Sequence, residues 1–133
     1  FDSYSGVISD GGSGIAIVTS LDFSITNSFA PTFVIGSDSA AQLEFGRAVV
    51  EGTMTIYYED ETIINKFLNE TESTLEVSVD DPTGTNSYTF LFPRVKYNGA
   101  AVPLAGSTSR LITVPFVALY DATEATNIKL TKA

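Results

Sequence analysis

The sequence contains no cysteine, no histidine and no tryptophan, and only one methionine. Without Cys there is no disulfide, thiolate metal site or Cys nucleophile, and the redox compartment is left open. Without His the commonest general base and the commonest metal ligand are both missing. Ser and Thr hydroxyls are plentiful, but none has a His partner and no G-x-S-x-G elbow occurs, so nucleophilic hydrolysis lacks its parts. These absences weigh against an enzyme and leave no catalytic, cofactor-binding or metal residue to nominate. Basic residues are scarce as well. Sixteen Asp and Glu stand against seven Lys and Arg, a formal net charge of −9, so a phosphate backbone meets net repulsion rather than a basic stripe. No apolar run approaches the roughly 20 residues of a membrane span. The opening FDSYSGVISD has neither the basic nor the apolar region of a signal peptide. The chain reads as soluble, with no membrane partner. Its start at Phe1 rather than Met reads as a processed form, an expressed fragment or part of a longer polypeptide.

What is present is alternation. At 133 residues one domain is the default, able to bury about two-thirds of its unfolded surface in one core. SLDFSIT (20–26) sets Leu21, Phe23 and Ile25 against Ser20, Asp22, Ser24 and Thr26, the period of a strand with one face buried and one wet. Before it, Val7 and Ile8 lead into the Gly-rich SDGGSG, suggesting an N-terminal hairpin. VVEGTMTIYY (49–58) and TLEVSVD (74–80) alternate likewise, and DPTGTN turns the second of these into SYTFLFPRVKY. Pro93 predicts an edge or a bulge in that strand. RLITVPFVALY (110–120) is apolar on both faces, as for a strand covered twice or lying at a subunit contact, and Pro115 favours the edge or contact. NIKLT closes the series, for seven or eight strands in all.

Two stretches break the pattern. Gly36 to Gly46, GSDSAAQLEFG, is bounded by glycines and reads as a loop. EDETIINKFLNETES (59–73) repeats Ile63, Ile64, Phe67 and Leu68 at helical spacing, with Asp60 placed to cap and Glu61 at the positive end. A helix this short must pack its stripe on a sheet or a neighbour. The carboxylate groups Glu59-Asp60-Glu61 and Asp80-Asp81 lie at element junctions, where Asp and Glu form caps and turns. DDPTGTN lacks the alternating ligands and final Glu of a calcium loop. Asn69-Glu70-Thr71 spells a glycosylation sequon without a secretory signal. The cations Arg47, Lys66, Arg94, Lys96, Arg110, Lys129 and Lys132 are scattered and read as solvated surface or ion pairs.

The order of LDFSITN, Gly36-Ser37, Gly46-Arg47, GTMT, DETIINKFL, FPRVKY and PFVALYD resembles phage tail tube proteins of long-tailed phages, over nearly the whole chain. One departure is Glu44-Phe45 before Gly46, where Pro or small residues belong. The resemblance implies an all-β fold with one short helix, an antiparallel β-sandwich or barrel, with residues 1–133 as a single tube domain or one domain of a longer chain. It implies a structural subunit without cofactors that assembles with itself into hexameric or pseudo-hexameric rings, stacked into a hollow conduit. Its partners would be tape-measure and tail terminator or tip proteins, with DNA as transient cargo, in a virion tail assembled in the host cytoplasm. On that frame the polar sides of two strands, Asp22, Ser24, Thr26, Glu51, Thr53 and Thr55, are the candidate lumen face. Gly36, Ser37, Asp38, Leu43, Glu44, Phe45, Gly46 and Arg47 are the candidate inter-ring loop, and Ile63, Ile64, Phe67 and Leu68 the candidate helix packing or subunit contact. The competing readings are a monomeric carbohydrate- or receptor-binding β-sandwich, with Tyr57, Tyr58, Tyr88 and Tyr97 as its platform, and a β-rich hydrolase.

Overall fold

The computed structural model describes residues 6–15, 18–39, 41–57, 62–83, 85–99 and 111–133. The alternating stretches form strands β1 (Val7–Asp10), β2 (Ser13–Gly14), β3 (Val18–Thr32), β4 (Gln42–Tyr57), β5 (Ser73–Asp80), β6 (Ser87–Tyr97), β7 (Leu111–Ala118) and β8 (Lys129–Lys132), with helix α1 (Thr62–Leu68) between β4 and β5. All pairings are antiparallel, in the order β2-β1-β5-β6-β7-β4-β3. β8 adds to the first half of β6, pairing Phe90 with Leu130, while β7 pairs the second half from Val95 to Tyr97. β6 changes neighbours midway because it bends. Ser73 faces Val95 but Leu75 faces Phe92, so Pro93 and Arg94 together oppose Thr74 in a β-bulge. The bulge is where Pro93, which donates no ladder hydrogen bond, is tolerated.

β1 turns into β2 through Gly11 and Gly12, both at positive φ (61° and 81°), as a two-residue hairpin loop requires. Its onward partner is β5, not the SLDFSIT strand that follows it in sequence. The second correction concerns β7. It lies inside the sheet between β6 and β4, although Pro115 pointed to an edge. The conflict resolves locally. Asn98 N donates to Pro115 O (2.9 Å), so Pro115 faces β6 one position past the last ladder pair, Tyr97 with Phe116, and the return bond that proline cannot give is lost only at the end of β6.

The sheet curls on itself. Phe23 of β3 meets the rings of Phe90 and Phe92 on β6 at 5.4 and 5.2 Å, although β7 and β4 separate those strands in the sheet. Phe92 in turn packs edge-on against Phe116 at 5.8 Å. Around these rings Val50, Met54, Ile56, Leu75, Val95, Ile112 and Val114 are buried, one from every second position. Each large apolar side chain fully buried here contributes about 1.5–3 kcal/mol relative to exposure. Ile63 of α1 reaches the same core, with Ile64 and Phe67 half-buried against it.

Candidate assembly surfaces

The register of β3 against β4 decides where the polar residues go. Asp22 pairs Thr53, Ser24 pairs Glu51, Ser20 pairs Thr55 and Thr26 pairs Val49. Directly opposed residues share a face, so Asp22, Ser24, Thr26, Glu51, Thr53 and Thr55 are brought together on one surface, the reverse of the core. The ladder to β7 extends that surface through Thr113, Pro115 and Val117, opposite Thr55, Thr53 and Glu51. Its two carboxylates, Asp22 and Glu51, are exposed. Gly52 sits behind it on the core side, and a Cβ there would meet the Asp22 carbonyl and the Phe116 ring.

β4 meets β7 only from Val50 onward, while β3 and β4 stay paired as far as Thr32 opposite Gln42. The excess length is a two-stranded arm beyond the body. This corrects the reading of Gly36–Gly46 as a loop. Leu43, Glu44 and Phe45 are strand residues, opposite Pro31, Ala30 and Phe29. Gly46 and Arg47 form a bulge opposite Ser28, and a Cβ on Gly46 would stand 2.7 Å from the Ser28 Cβ, so the glycine marks a bulge and not a loop boundary. Of the nominated residues, Gly36, Ser37 and Asp38 lie in the turn itself. Gly36 takes φ 95° as the third residue of a turn closed by Ser37 N to Val34 O (3.3 Å), and Ser37 Oγ accepts from Ser39 N (3.2 Å). Ala41 N to Thr32 O (3.0 Å) seals the arm's end.

The same turn holds what the sequence reading missed. Phe33, Val34 and Ile35 are 62%, 51% and 108% exposed. Three apolar residues in a row before a turn glycine are the signal that was available. At the arm's base, Asn127 Nδ2 donates to Ala48 O (3.2 Å).

In α1 the nominated stripe divides. Ile63, Ile64 and Phe67 cover their own sheet, while Leu68 is exposed and does not pack on it, which leaves it the subunit-contact half of the expectation. At 3.6 residues per turn Leu68 stands about 140° around the helix from Ile63, at the margin of the stripe. The helix ends in a Schellman turn, Thr71 N to Lys66 O (2.8 Å) and Glu70 N to Phe67 O (3.1 Å), with Glu70 at φ 51°. The caps Asp60 and Glu61 lie outside the described residues.

Lys66, read from sequence as one of the scattered cations, holds a buried partner. Its Nζ is 2.5 Å from Asp10 Oδ2 and donates to Ser73 Oγ at 3.1 Å, and Ser73 Oγ donates to Asp10 Oδ1. Asp10 is the one buried charged residue among those described, and this cluster ties the β1–β2 turn to the helix. Beneath it the Tyr97 hydroxyl is buried without a hydrogen-bond partner of good geometry among the described residues. Burial pushes that phenol's pKa up, and the nearby Asp10 carboxylate pushes it further. Other cations pair on the surface: Arg94 with Glu72 through two bonds (2.6 and 2.7 Å), Lys96 with Glu70 (2.8 Å) and Lys129 with Glu124 (2.8 Å).

The remaining candidates do not gather into a binding or catalytic site. Tyr97 is in the core, Tyr57 and Tyr88 are on different strands, and Tyr58 lies outside the described residues. Asp81 accepts from the Thr83 hydroxyl (2.8 Å) and weakly from Thr83 N (3.4 Å), which holds its carboxyl below the ordinary range. Asp80 accepts from Ser78 Oγ (3.0 Å). Asp81 thus forms the turn, while Asp80 is the last residue of β5, opposite Ser87.

Comparison with known proteins supplies a family and a fold. A family model described as phage tail tube protein matches residues 1–118. The fold is shared with a chain of the anti-feeding prophage tube terminating cap (TM-score 0.67, 9% identity, covering 100% of this chain and 91% of that one). It is shared with a chain from the tail of an empty GTA particle refined with C6 symmetry (0.67, 11%, 98% and 98%). A third is a chain of the PVC sheath–tube complex, an extracellular contractile injection system in its extended state (0.63, 12%, 100% and 90%). Among curated proteins no sequence matches.

Proposed function

Since this chain belongs to the phage tail tube protein family, we propose that its tube-subunit role works through closed rings that stack by their arms, with the polar β3–β4 face turned to the lumen. The observation that carries this reading is the β3–β4 hairpin. One of its faces is polar and acidic over the body, and its far end is an arm whose turn exposes Phe33, Val34 and Ile35. A conduit for nucleic acid must not hold its cargo. Asp22 and Glu51 repel phosphate, and the hydroxyls of Ser24, Thr26, Thr53 and Thr55 keep the surface wet. An exposed apolar turn on a chain of charge −9 is a contact surface before it is anything else.

Ring closure needs a heterologous side-to-side contact and stacking needs an axial one. The outer edge of β3 from Ser24 onward, which no described strand pairs, suits the first. The arm, from Gly36, Ser37 and Asp38 down to Gly46 and Arg47, suits the second. Six subunits per ring is the stoichiometry that the C6 symmetry of the GTA tail supports. Residues 1–133 serve as one tube domain, in a virion tail assembled in the host cytoplasm. DNA is its transient cargo, and tape-measure, terminator and tip proteins set the length and the ends. The role is structural rather than catalytic, in keeping with a sequence that has neither His nor Cys. Negative-stain electron microscopy of concentrated protein is expected to show rings or hollow tubes. A monodisperse monomer at every concentration, above all one that binds glycans, overturns the reading.

A further inference from the structure

Among the described residues the curled sheet does not close. Its two ends, β1 with β2 on one side and the start of β3 on the other, face each other across a groove of about 850 Å³. Val7, Ile8, Val18, Leu21, Val79 and Phe90 line it, and Phe23 forms part of its wall. Three properties set this groove apart. None of the described residues that line it is ionisable, in a chain of charge −9. One wall is the outer edge of β3, whose backbone groups have no ladder partner among the described residues, so the slot offers hydrogen bonds as well as apolar surface to an extended segment. And it lies at the first residues of β3, whereas the arm's turn follows the last, some 50 Å away at about 3.3 Å per residue.

The geometry points to this seam groove as the receptor for the arm of a second copy of the chain, which inserts Phe33-Val34-Ile35. The inference rests on the tube reading above and names the surface that the arm engages. Two acidic copies approach each other best through surfaces that carry no charge, and the segment Phe33 to Gly36 is as free of ionisable groups as the groove. Donor and acceptor at opposite ends of one strand make a head-to-tail contact. Each copy that receives an arm still presents its own, so the contact propagates without limit.

The chain has no cysteine, so a disulfide reports only introduced neighbours, and it forms only where Cα atoms come within about 7 Å. Ile35→Cys and Val7→Cys, both at exposed positions, are prepared separately with different size tags, mixed, concentrated and oxidised. Ile35→Cys mixed with Val49→Cys, at the exposed base of the arm, is the control. The expected result is a heterodimer band with Val7→Cys several-fold stronger than with Val49→Cys, appearing only when tubes are present. Tubes whose cross-linking is equal in the two mixtures, or stronger at Val49→Cys, overturn the groove and leave the tube reading standing. Wild-type protein that forms neither rings nor tubes overturns the tube reading and this inference with it.

Discussion

The Phe116 ring on β7 lies across Gly52 on β4, so near that a Cβ at position 52 would stand 2.6 Å from its Cζ. The glycine's missing side chain is the space that the ring fills, and the Asp22 carbonyl on β3 closes the position from the other side. Gly52→Ala therefore forces β3, β4 or Phe116 to move, at a cost near 3 kcal/mol, the upper end for overpacking. Urea unfolding checks this. A loss below about 1 kcal/mol would mean that the ring swings away freely.

Asp10 and Lys66 make the second prediction. Asp10→Ala leaves the Lys66 ammonium without its carboxylate. Lys66 keeps 22% of its side chain exposed, so the cost is about 2–3 kcal/mol, below the 3–5 of a fully enclosed pair. Replacing both, Asp10→Ala with Lys66→Met, is expected to recover most of that loss, which a double-mutant cycle measures.

Glu70 sits at φ 51° in the turn that ends α1. Glycine carries no Cβ penalty there, whereas the Lys96 ion pair that Glu70 makes is solvent-exposed and screened. Glu70→Gly is thus expected to raise the urea midpoint, and a lower midpoint would show that the ion pair outweighs the backbone strain.

The Arg94 guanidinium, through its hydrogen bonds, holds the Glu72 carboxyl below its ordinary value of 4.5. A folded-state pKa below the unfolded one gives stability that is present above the unfolded value and lost as pH falls through the folded one. The stability difference between wild type and Glu72→Gln is expected to be constant near neutrality and to close progressively below pH 4.5. A difference that persists at lower pH would assign it to packing.

For the lumen, Asp22→Lys with Glu51→Lys reverses both exposed carboxylates on the polar face without touching the core. Tubes are expected still to form, and to retain DNA in a manner that weakens steeply with salt. Tubes that bind no more DNA than wild type take both residues off the lumen.

How much of this was legible varied with range. Strand alternation was readable because which face is wet is decided two residues at a time. It set Leu21 and Phe23 against Asp22 and Ser24, and the structure packs the first two on the core and leaves the other two on the reverse surface. The Pro93 bulge was readable from the chemistry of one residue. Residues 42–46 read as a loop because glycines bound the stretch, whereas Gly46 is a bulge within a ladder whose partner strand lies across the turn. The place of β7 inside the sheet was hidden because Pro115 is tolerated only by where β6 happens to stop. The Asp10–Lys66 pair spans 56 positions of sequence, and neither residue's local pattern distinguishes it from a solvated charge. Tertiary proximity created each of these.

The two ends of the sheet also differ in when they can form. β3 and β4 pair across the short connection 33–41, whereas β1 reaches β5 only after about 70 residues of chain have been gathered between them. Contacts local in sequence form early and distant ones late. The arm is therefore available on a partly folded chain, while the groove acquires its β1 wall only when folding is complete. Under the proposed arm-in-groove contact, a newly made subunit reaches into a finished one before it is itself able to be reached into, which gives the growing polymer a direction in time as well as in space.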